Sequence, residues 1–252
     1  MIAQGRCSMT KIYEGKHYIL IRTGYSDPEV HRHMAAHVIV ALDGEMKVTS
    51  GNDTMFCRGV MIPAGVYHRV DTRGKAALIF LFDCTSNISA QITQISPITE
   101  EMYGKITAWY SGLAEETISG EDSVSEKGLW DCFGTDDCYC TVTDERILLA
   151  MDYIRSMCAG KVSCQDVADY IHLSQDRFSH LFKQQTGMTF SAYVIYQRIM
   201  GVYSTVFRGK SITEASLQSG FFSSSHLADV NHRIFGLTMR SVMDKALFFK
   251  LS

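Results

Sequence analysis

The spacing of apolar residues changes once along the chain, and this change limits what the chain can fold into. Between Tyr13 and Asp83, short apolar stretches such as HVIVAL and ALIFLF alternate with turn residues. Strands separated by about ten residues are typical of a small antiparallel sandwich or barrel. From Ile98 onward, apolar residues recur at helical intervals. The sequence therefore predicts a two-domain protein, with an all-β N-terminal domain and an all-α C-terminal domain.

Turn residues and charge subdivide the chain further. The pair Asp43–Gly44 between HVIVAL and MKVTS predicts a β-hairpin. Residues 96–140 carry ten acidic and two basic side chains, although the whole chain has a net charge of only −3. Such a shift in charge marks a boundary. We therefore expect a β domain over residues 1–95, an acidic, partly helical linker or dimerisation segment over 96–142, and a helical domain over 143–252.

The remaining composition indicates a cytoplasmic protein. No apolar stretch reaches the roughly 20 residues that a membrane helix needs, and the N-terminus lacks the apolar core and cleavage site of a signal peptide. Eight cysteines are present, and Cys132, Cys138 and Cys140 cluster without CxxC spacing. We therefore expect buried thiols rather than a disulfide framework or a zinc site, and no contact with a membrane.

Two short amphipathic helices joined by a tight turn are predicted in VSCQDVADYIHLSQDRFSHLFKQQTG. Ser174 is well placed as the N-cap of the second helix. A similar pattern follows in SITEASLQSGFFSSSHLADVNHRIFG, and the stretch TFSAYVIYQRIMGVYSTVF between them is long enough for one joining helix. Each pair of helices has the form of a helix-turn-helix unit.

In the first unit, Phe178, Leu181 and Phe182 share one helix face. The opposite face then carries polar residues that could look into a major groove of DNA: Asp176, Ser179, His180 and Lys183. Arg177 and Lys183 are better suited to phosphates. A solvated helix face without function is the alternative for this pattern considered alone.

The C-terminal stretches LSQDRFSHLFKQQTGMTFSAYVIYQRI and ITEASLQSGFFSSSHL resemble the AraC/XylS family of transcriptional regulators. This resemblance implies two helix-turn-helix units, bridged by one helix, that enter successive major grooves on one face of DNA. It assigns base contacts to Asp176, Ser179 and His180.

The second unit departs from the family pattern at three positions. Asp229 stands where an arginine is usual, Asn231 where a core phenylalanine is usual, and Met239 where a proline follows the glycine. A carboxylate repels phosphate but can accept a hydrogen bond from cytosine. We therefore expect weaker binding or an unusual half-site, with contacts from Ser224, Ser225, Asp229 and Arg233.

The N-terminal part resembles a cupin, a sensor domain common in that family, which implies an all-β cupin-like barrel. The first cupin motif fits Gly24, His31, His33, His37 and Gly44, with His37 in the place of the usual glutamate. The second motif fits Gly59, Pro63, Gly65 and His68.

Histidines at alternate positions of HRHMAAH point to one side of a strand, and the cupin resemblance brings His68 to them. Neutral imidazoles suit Zn, Ni, Cu or Fe. Three interpretations of His31, His33, His37 and His68 stay open: a transition-metal site, a metal-free pocket for an organic acid or another polar effector, and a structural cluster.

These features together predict a ligand-responsive transcriptional regulator with no catalytic residue. Its expected partners are double-stranded operator DNA, a small-molecule effector, RNA polymerase and a second copy of the chain. The alternative is a metal-dependent cupin enzyme, a dioxygenase or isomerase, with an appended helical interaction domain. A third interpretation is a protein that has lost DNA binding and acts through protein contacts.

Overall fold

The computed structural model describes residues 10–24, 29–116, 123–124, 126, 128–157, 159–235 and 246–251. It divides the chain into two compact units. The first unit comprises Met1–Tyr139 together with Ile234–Ser252, and the second comprises Cys140–Arg233. This division differs from the expected three segments, because the acidic segment and the C-terminal end both belong to the first unit.

The first unit is built on two β-sheets. Its strands are β1 (Lys11–Glu14), β2 (Tyr18–Thr23), β3 (Ala36–Ala41), β4 (Met46–Ser50), β5 (Asp53–Cys57), β6 (Gly59–Ile62), β7 (Arg69–Asp71), β8 (Ala77–Phe82), β9 (Ser96–Pro97), β10 (Ser123–Val124) and β11 (Leu247–Leu251). The larger sheet has the order β10-β11-β1-β2-β8-β3-β6-β9, and the smaller has the order β5-β4-β7. The predicted β-rich N-terminal domain is confirmed, but the described strands form two separate sheets rather than one closed barrel.

The predicted hairpin at Asp43–Gly44 is wrong. Strand β3 pairs with β6 and β8, whereas β4 pairs with β5 and β7. Gly44 has a φ of 69°, and here the turn carries the chain from one sheet to the other. The hairpin of the smaller sheet lies one turn later, where Ser50 pairs with Asp53.

The alternation of side chains in β3 gives the larger sheet two different faces. Val38 and Val40 point to a core that also contains Phe80 and Phe82 of β8. That face is covered by α1 (Asn87–Gln91), α2 (Glu100–Glu116) and a 3₁₀ helix (Trp130–Phe133). Because neighbouring residues of a strand point to opposite faces, His37 lies on the face away from these helices.

Helix α2 explains why the acidic segment joins the first unit. Ile106 and Leu113 are buried against the sheet, as their helical spacing predicts. The Tyr103 hydroxyl donates a hydrogen bond to the Ala41 carbonyl at 3.0 Å, and Arg58 lies over the Tyr103 ring at 3.7 Å. Glu100 and Glu101 are exposed on α2, and the other side of this helix is part of the sheet's core.

The chain returns to the first unit after the helical unit. Strand β11 runs parallel to β1, with Phe249 opposite Tyr13, and the two rings stack at 5.0 Å. Leu251 is buried. The expectation that residues 143–252 form one helical domain is therefore wrong at its C-terminal end, because an apolar strand there completes an edge of the larger sheet.

The second unit is all helical, as predicted. Its helices are α3 (Glu145–Met157), α4 (Cys164–Tyr170), α5 (Gln175–Thr186), α6 (Phe190–Phe207), α7 (Ile212–Gln218) and α8 (Ser224–Phe235). Ser163 and Ser211 form capping boxes at the starts of α4 and α7. Ser174 caps α5, as the sequence predicts, and Gly187 ends it with a φ of 72°.

Within the described residues, we find no helix with the length and apolar character needed to cross a lipid bilayer.

Replacement of Leu251 by alanine tests the returning strand. Because the side chain is only 5% exposed, Leu251→Ala should lower the free energy of unfolding by about 2–4 kcal/mol. Leu247→Ala is the matched control, since Leu247 lies on the same strand and is 43% exposed. Chemical denaturation measures both variants. Equal losses for the two variants would contradict the placement of β11.

Candidate nucleic-acid interface and histidine cluster

The first helix-turn-helix unit consists of α4, α5 and the turn between them. Val167, Ala168 and Ile171 are buried, as predicted. His172 adopts a φ of 57°, which turns the chain sharply, and the Leu173 amide donates to the Ala168 carbonyl at 2.9 Å. Asparagine, aspartate and histidine adopt this left-handed conformation more readily than most residues, so the turn suits its sequence.

The exposed face of α5 carries the predicted contact residues. Phe178 and Phe182 are fully buried on the other face. All five side chains that the sequence assigned to DNA are exposed: Asp176, Arg177, Ser179, His180 and Lys183. A polar helix face of this kind, presented by the second helix of such a unit, is the arrangement that reads base edges in a major groove.

The second helix-turn-helix unit consists of α7, α8 and their turn. Gly220 has a φ of 79° at the position that His172 occupies in the first unit. The Phe221 amide donates to the Ser216 carbonyl at 3.0 Å. Ser223 caps α8, since its Oγ accepts a hydrogen bond from the His226 amide at 3.1 Å.

The predicted contacts of the second unit lie in different environments. Ser225 and Asp229 are exposed, and Ser224 is half-buried. Arg233 belongs to α8, but its side chain lies outside the described residues, as does Met239. Asn231 is fully buried, so it occupies the core position that its place in the motif implied.

His226 is a further candidate DNA contact, which the sequence pattern did not indicate. Its side chain is exposed in the first turn of α8, three residues after the N-cap Ser223. Arg177 has the same position relative to Ser174 in the first unit. A comparison of the two N-caps would have found this residue.

The histidines of the two cupin-like motifs meet in the first unit. His31 and His68 form an isolated β-bridge, with backbone hydrogen bonds of 3.0 and 2.9 Å. The Gly65 amide donates to the His33 carbonyl at 2.6 Å. Side-chain nitrogens of His31, His33 and His68 lie within 4.8 Å of one another, and all three residues are buried.

Backbone carbonyls fix two of these rings. His31 Nδ1 lies 2.6 Å from the Glu29 carbonyl, and His68 Nδ1 lies 2.8 Å from the Val66 carbonyl. A carbonyl can only accept, so in each ring Nδ1 carries the hydrogen and Nε2 carries the lone pair. Hydrogen bonds of this type orient the imidazoles that bind metals.

His37 packs against His33 and His68. Its ring centroid lies 3.9 Å from that of His33 and 5.4 Å from that of His68. The residue is 2% exposed, and neither ring nitrogen has a hydrogen-bond partner among the described residues. The structure thus brings all four predicted histidines together, and the tightest set is His31, His33 and His68.

Burial keeps His33, His37 and His68 uncharged at neutral pH. It places the pKa of both His33 and His37 well below the usual histidine value, and neighbouring histidines lower the pKa further. Burial likewise lowers the pKa of His68 to about 4. Neutral imidazoles can donate lone pairs to a metal ion.

The cysteine cluster offers no comparable site. Cys132 and Cys138 are free and buried. Burial raises the pKa of the Cys132 thiol to about 11 and that of the Cys138 thiol to about 12. Since metals bind the thiolate, these side chains are poorly suited as ligands at neutral pH.

A cavity of about 370 Å³ lies on the helix-covered face of the larger sheet, and no pattern in the sequence indicates it. Its walls are mostly apolar and include Met61, Ile88, Met102 and Phe133, with Gln91 and Lys105 among the polar groups. Small-molecule sites usually span about 300–1,000 Å³, so this cavity has the size of a ligand site.

The metal-free protein should lose stability as the pH falls from about 6.5 to 4. The unfolded chain binds a proton at His68 near pH 6.5, whereas the folded chain binds it only near pH 4. The loss should reach roughly 3 kcal/mol at pH 4 from His68 alone. Denaturation of His68→Gln across this range should give a flatter profile, and the exposed His172→Gln should not. Unchanged pH dependence in His68→Gln contradicts the buried, neutral assignment.

Part of the chain matches a known protein family. Residues 167–245 match a protein family described as a helix-turn-helix domain. The search of curated proteins finds no match.

Solved structures resemble most of the chain. The crystal structure of ToxT from Vibrio cholerae O395 aligns with a TM-score of 0.59 and 11% identity, covering 92% of this chain and 98% of that one. ToxT bound to (E)-4-(8-methylnaphthalen-1-yl)but-3-enoic acid aligns with a TM-score of 0.58 and 12% identity, covering 91% and 99%. A transcriptional regulator from Chromobacterium violaceum with an AraC-type DNA-binding domain is 24% identical, with a TM-score of 0.38, covering 40% of this chain and 91% of that one. The chain therefore has the two-domain fold of ToxT, and its residues 167–245 match a helix-turn-helix domain.

Proposed function

We propose that the chain is a sequence-specific DNA-binding transcriptional regulator whose N-terminal unit senses a small molecule or a metal ion. The observation that carries this proposal is the pair of capped helix-turn-helix units, most of which lies in the matched residues 167–245. In the first unit, a polar helix face is exposed opposite buried phenylalanines. A folded face of this kind suits a base-reading helix.

The side chains of α5 divide by chemistry into two roles. Asp176, Ser179 and His180 can exchange hydrogen bonds with base edges, and Arg177 and Lys183 can pair with phosphates. In α8, Ser224, Ser225 and Arg233 are the corresponding contacts. Asp229 is exposed and would repel phosphate, so the second unit should contribute less to affinity than the first.

For the N-terminal unit, the cavity beside α2 is the better candidate for an organic effector. One solved ToxT structure is bound to a butenoic acid derivative, and this supports a small organic ligand for a chain of the same fold. The apolar walls of the cavity suit an apolar ligand body, and Lys105 suits an acidic head group. Lys105 is paired with Glu101 at 2.7 Å, so an acidic ligand would have to displace that carboxylate.

The histidine cluster is better suited to a metal ion than to an organic acid. Nδ1 of His31 and of His68 already donates to a backbone carbonyl, and Nε2 of each ring can then only accept. A carboxylate also accepts, and the lowered pKa of His68 disfavours the protonated ring that could donate to it. His31, His33 and His68 would therefore hold Zn, Ni, Cu or Fe, and His37 is the candidate for a fourth ligand.

The ligand nitrogens would have to move closer on binding. Metal–nitrogen bonds of about 2.0–2.1 Å in a tetrahedral site place neighbouring nitrogens about 3.4 Å apart. In the structure, the ligand nitrogens of His31, His33 and His68 lie up to 4.8 Å apart. A bound ion would stabilise the fold by drawing together His31 and His33 of the first motif and His68 of the second.

Action through DNA rather than through catalysis is our proposal for the whole chain. A metal-dependent dioxygenase or isomerase would use the same histidines, but the helix-turn-helix units would then have no role. Operator binding agrees with the expected cytoplasmic location. RNA polymerase and a second copy of the chain remain the expected protein partners of such a regulator.

Salt dependence of DNA binding tests the phosphate contacts. The affinity for a random duplex should fall as salt rises, because each phosphate contact releases counterions. Arg177→Ala and Lys183→Ala should each lower the slope of log K against log salt by about 1. Lys47→Ala is the control, since Lys47 is an exposed cation on β4 of the first unit. A salt-independent affinity, or an equal change for Lys47→Ala, would contradict the assigned interface.

Elemental analysis tests the metal site. Protein purified without a histidine tag or a chelator should contain about one equivalent of a transition metal, and His33→Ala should lose it. His172→Ala is the control, because His172 is exposed in the second unit. A metal-free wild-type protein that also fails to bind added Zn²⁺ or Ni²⁺ would refute this part of the proposal without affecting DNA binding.

A further inference from the structure

The second helix-turn-helix unit has one more residue in its turn than the first. The spacing from the N-cap to the bend is the same in both units: Ser163 and His172 are as far apart along the chain as Ser211 and Gly220. Helix α7 and the bend after it therefore match α4 and its bend. The spacing from the bend to the next N-cap differs, because Ser223 lies one residue farther from Gly220 than Ser174 lies from His172. The additional residue is Phe222.

Phe222 is not part of the core of the unit. Its neighbour Phe221 is 4% exposed, and its amide makes the backbone hydrogen bond that the Leu173 amide makes in the first unit. Phe222 itself is 92% exposed, the highest value among the large apolar side chains described. An aromatic side chain left in water contributes nothing to folding through burial, so the stability of the unit does not explain this residue.

Contacts with His226 hold the backbone of Phe222 in place just before α8. The Phe222 amide donates to His226 Nδ1 at 3.4 Å, and the His226 ring packs on Phe221 with centroids 5.6 Å apart. The residue directly precedes the N-cap of α8. In helix-turn-helix proteins, the N-terminal residues of the second helix are the ones that reach the base edges.

We propose that Phe222 is a specificity-determining residue that places its ring against the C5-methyl group of a thymine in the major groove. This inference rests on the proposed DNA-binding function and adds to it the base preference of the second unit. A phenyl ring has no hydrogen-bond donor or acceptor. The thymine methyl is the apolar feature that the major groove presents, and phenylalanine is one of the side chains that contact it.

The charge of α8 supports an apolar contact at this place. The exposed side chains described near the start of α8 are Ser225, His226, Ala228 and Asp229, and none of them is a lysine or arginine. Asp229 would repel phosphate. The described part of this helix therefore has little ionic attraction to DNA, and contacts with the bases have to supply more of its binding.

The test begins with duplexes enriched from a random pool by the full-length wild-type protein. Each thymine of the enriched site is then replaced by uracil, which keeps the hydrogen-bonding edge and removes only the methyl group. At one thymine in the half-site of the second unit, wild-type affinity should fall by about fourfold, the loss expected for one buried methyl group. Phe222→Ser should bind the thymine and uracil duplexes equally.

Two controls separate base reading from other effects. Phe222→Ser should unfold at the wild-type temperature, because the side chain is exposed. Leu149→Ser removes another exposed apolar side chain, outside both helix-turn-helix units, and should keep the fourfold preference for thymine.

The outcomes distinguish this inference from the proposed function. A pool that yields no enriched duplex overturns sequence-specific binding, and the role of Phe222 with it. An enriched duplex in which no uracil weakens wild-type binding overturns the role of Phe222 alone. The same holds if Phe222→Ser retains the wild-type preference for thymine.

Discussion

The packing of Phe178 and Phe182 on the joining helix determines which face of α5 meets the solvent. Phe182 lies 5.3 Å from Tyr193 of α6, and Phe178 lies 5.9 Å from Phe190, between ring centroids. Aromatic contacts at these distances hold a helix in one rotational setting. With the aromatic side of α5 fixed inward, the side that carries Ser179 and His180 must face outward. The proposed reading of DNA depends on this packing.

In the N-terminal unit, the side chains of strand β3 point alternately to the hydrophobic core and to the histidine cluster. Val38 and Val40 belong to the core beneath α2, and His37, which directly precedes Val38, points to the other face, next to His33. A shift of β3 by one residue would exchange these faces. The burial of Val38 and Val40 thus keeps His37 in the histidine cluster. The same burial lowers the pKa of the imidazoles, which keeps them neutral and suited to a cation.

Local patterns in the sequence predicted the helical unit well, because its caps, turns and buried faces depend on residues only a few positions apart. Ser174, Phe178 and Phe182 all have the expected roles. Pairing between distant segments could not be predicted in this way. Strand β11 and the crossing at Asp43–Gly44 depend on which strands meet, and hydrophobic periodicity carries no information about partners.

The candidate sites show the same difference. The four histidines could be brought together only through the resemblance to cupin motifs, since His68 is far from HRHMAAH along the chain. Phe222 was overlooked because a phenylalanine in an apolar pair normally indicates core. Only its exposed fraction shows otherwise. The cavity beside α2 is formed by residues from separate elements, so no short motif marks it.

Selection of bound duplexes from a random pool tests the central claim most directly, because it requires both helix-turn-helix units to recognise DNA. The account predicts an enriched site with two half-sites about 10 base pairs apart, one for each unit in successive major grooves. The half-site of the first unit should be the more strongly specified, since Asp229 weakens the second. Binding without any enriched sequence would contradict the assignment of the chain as a sequence-specific regulator.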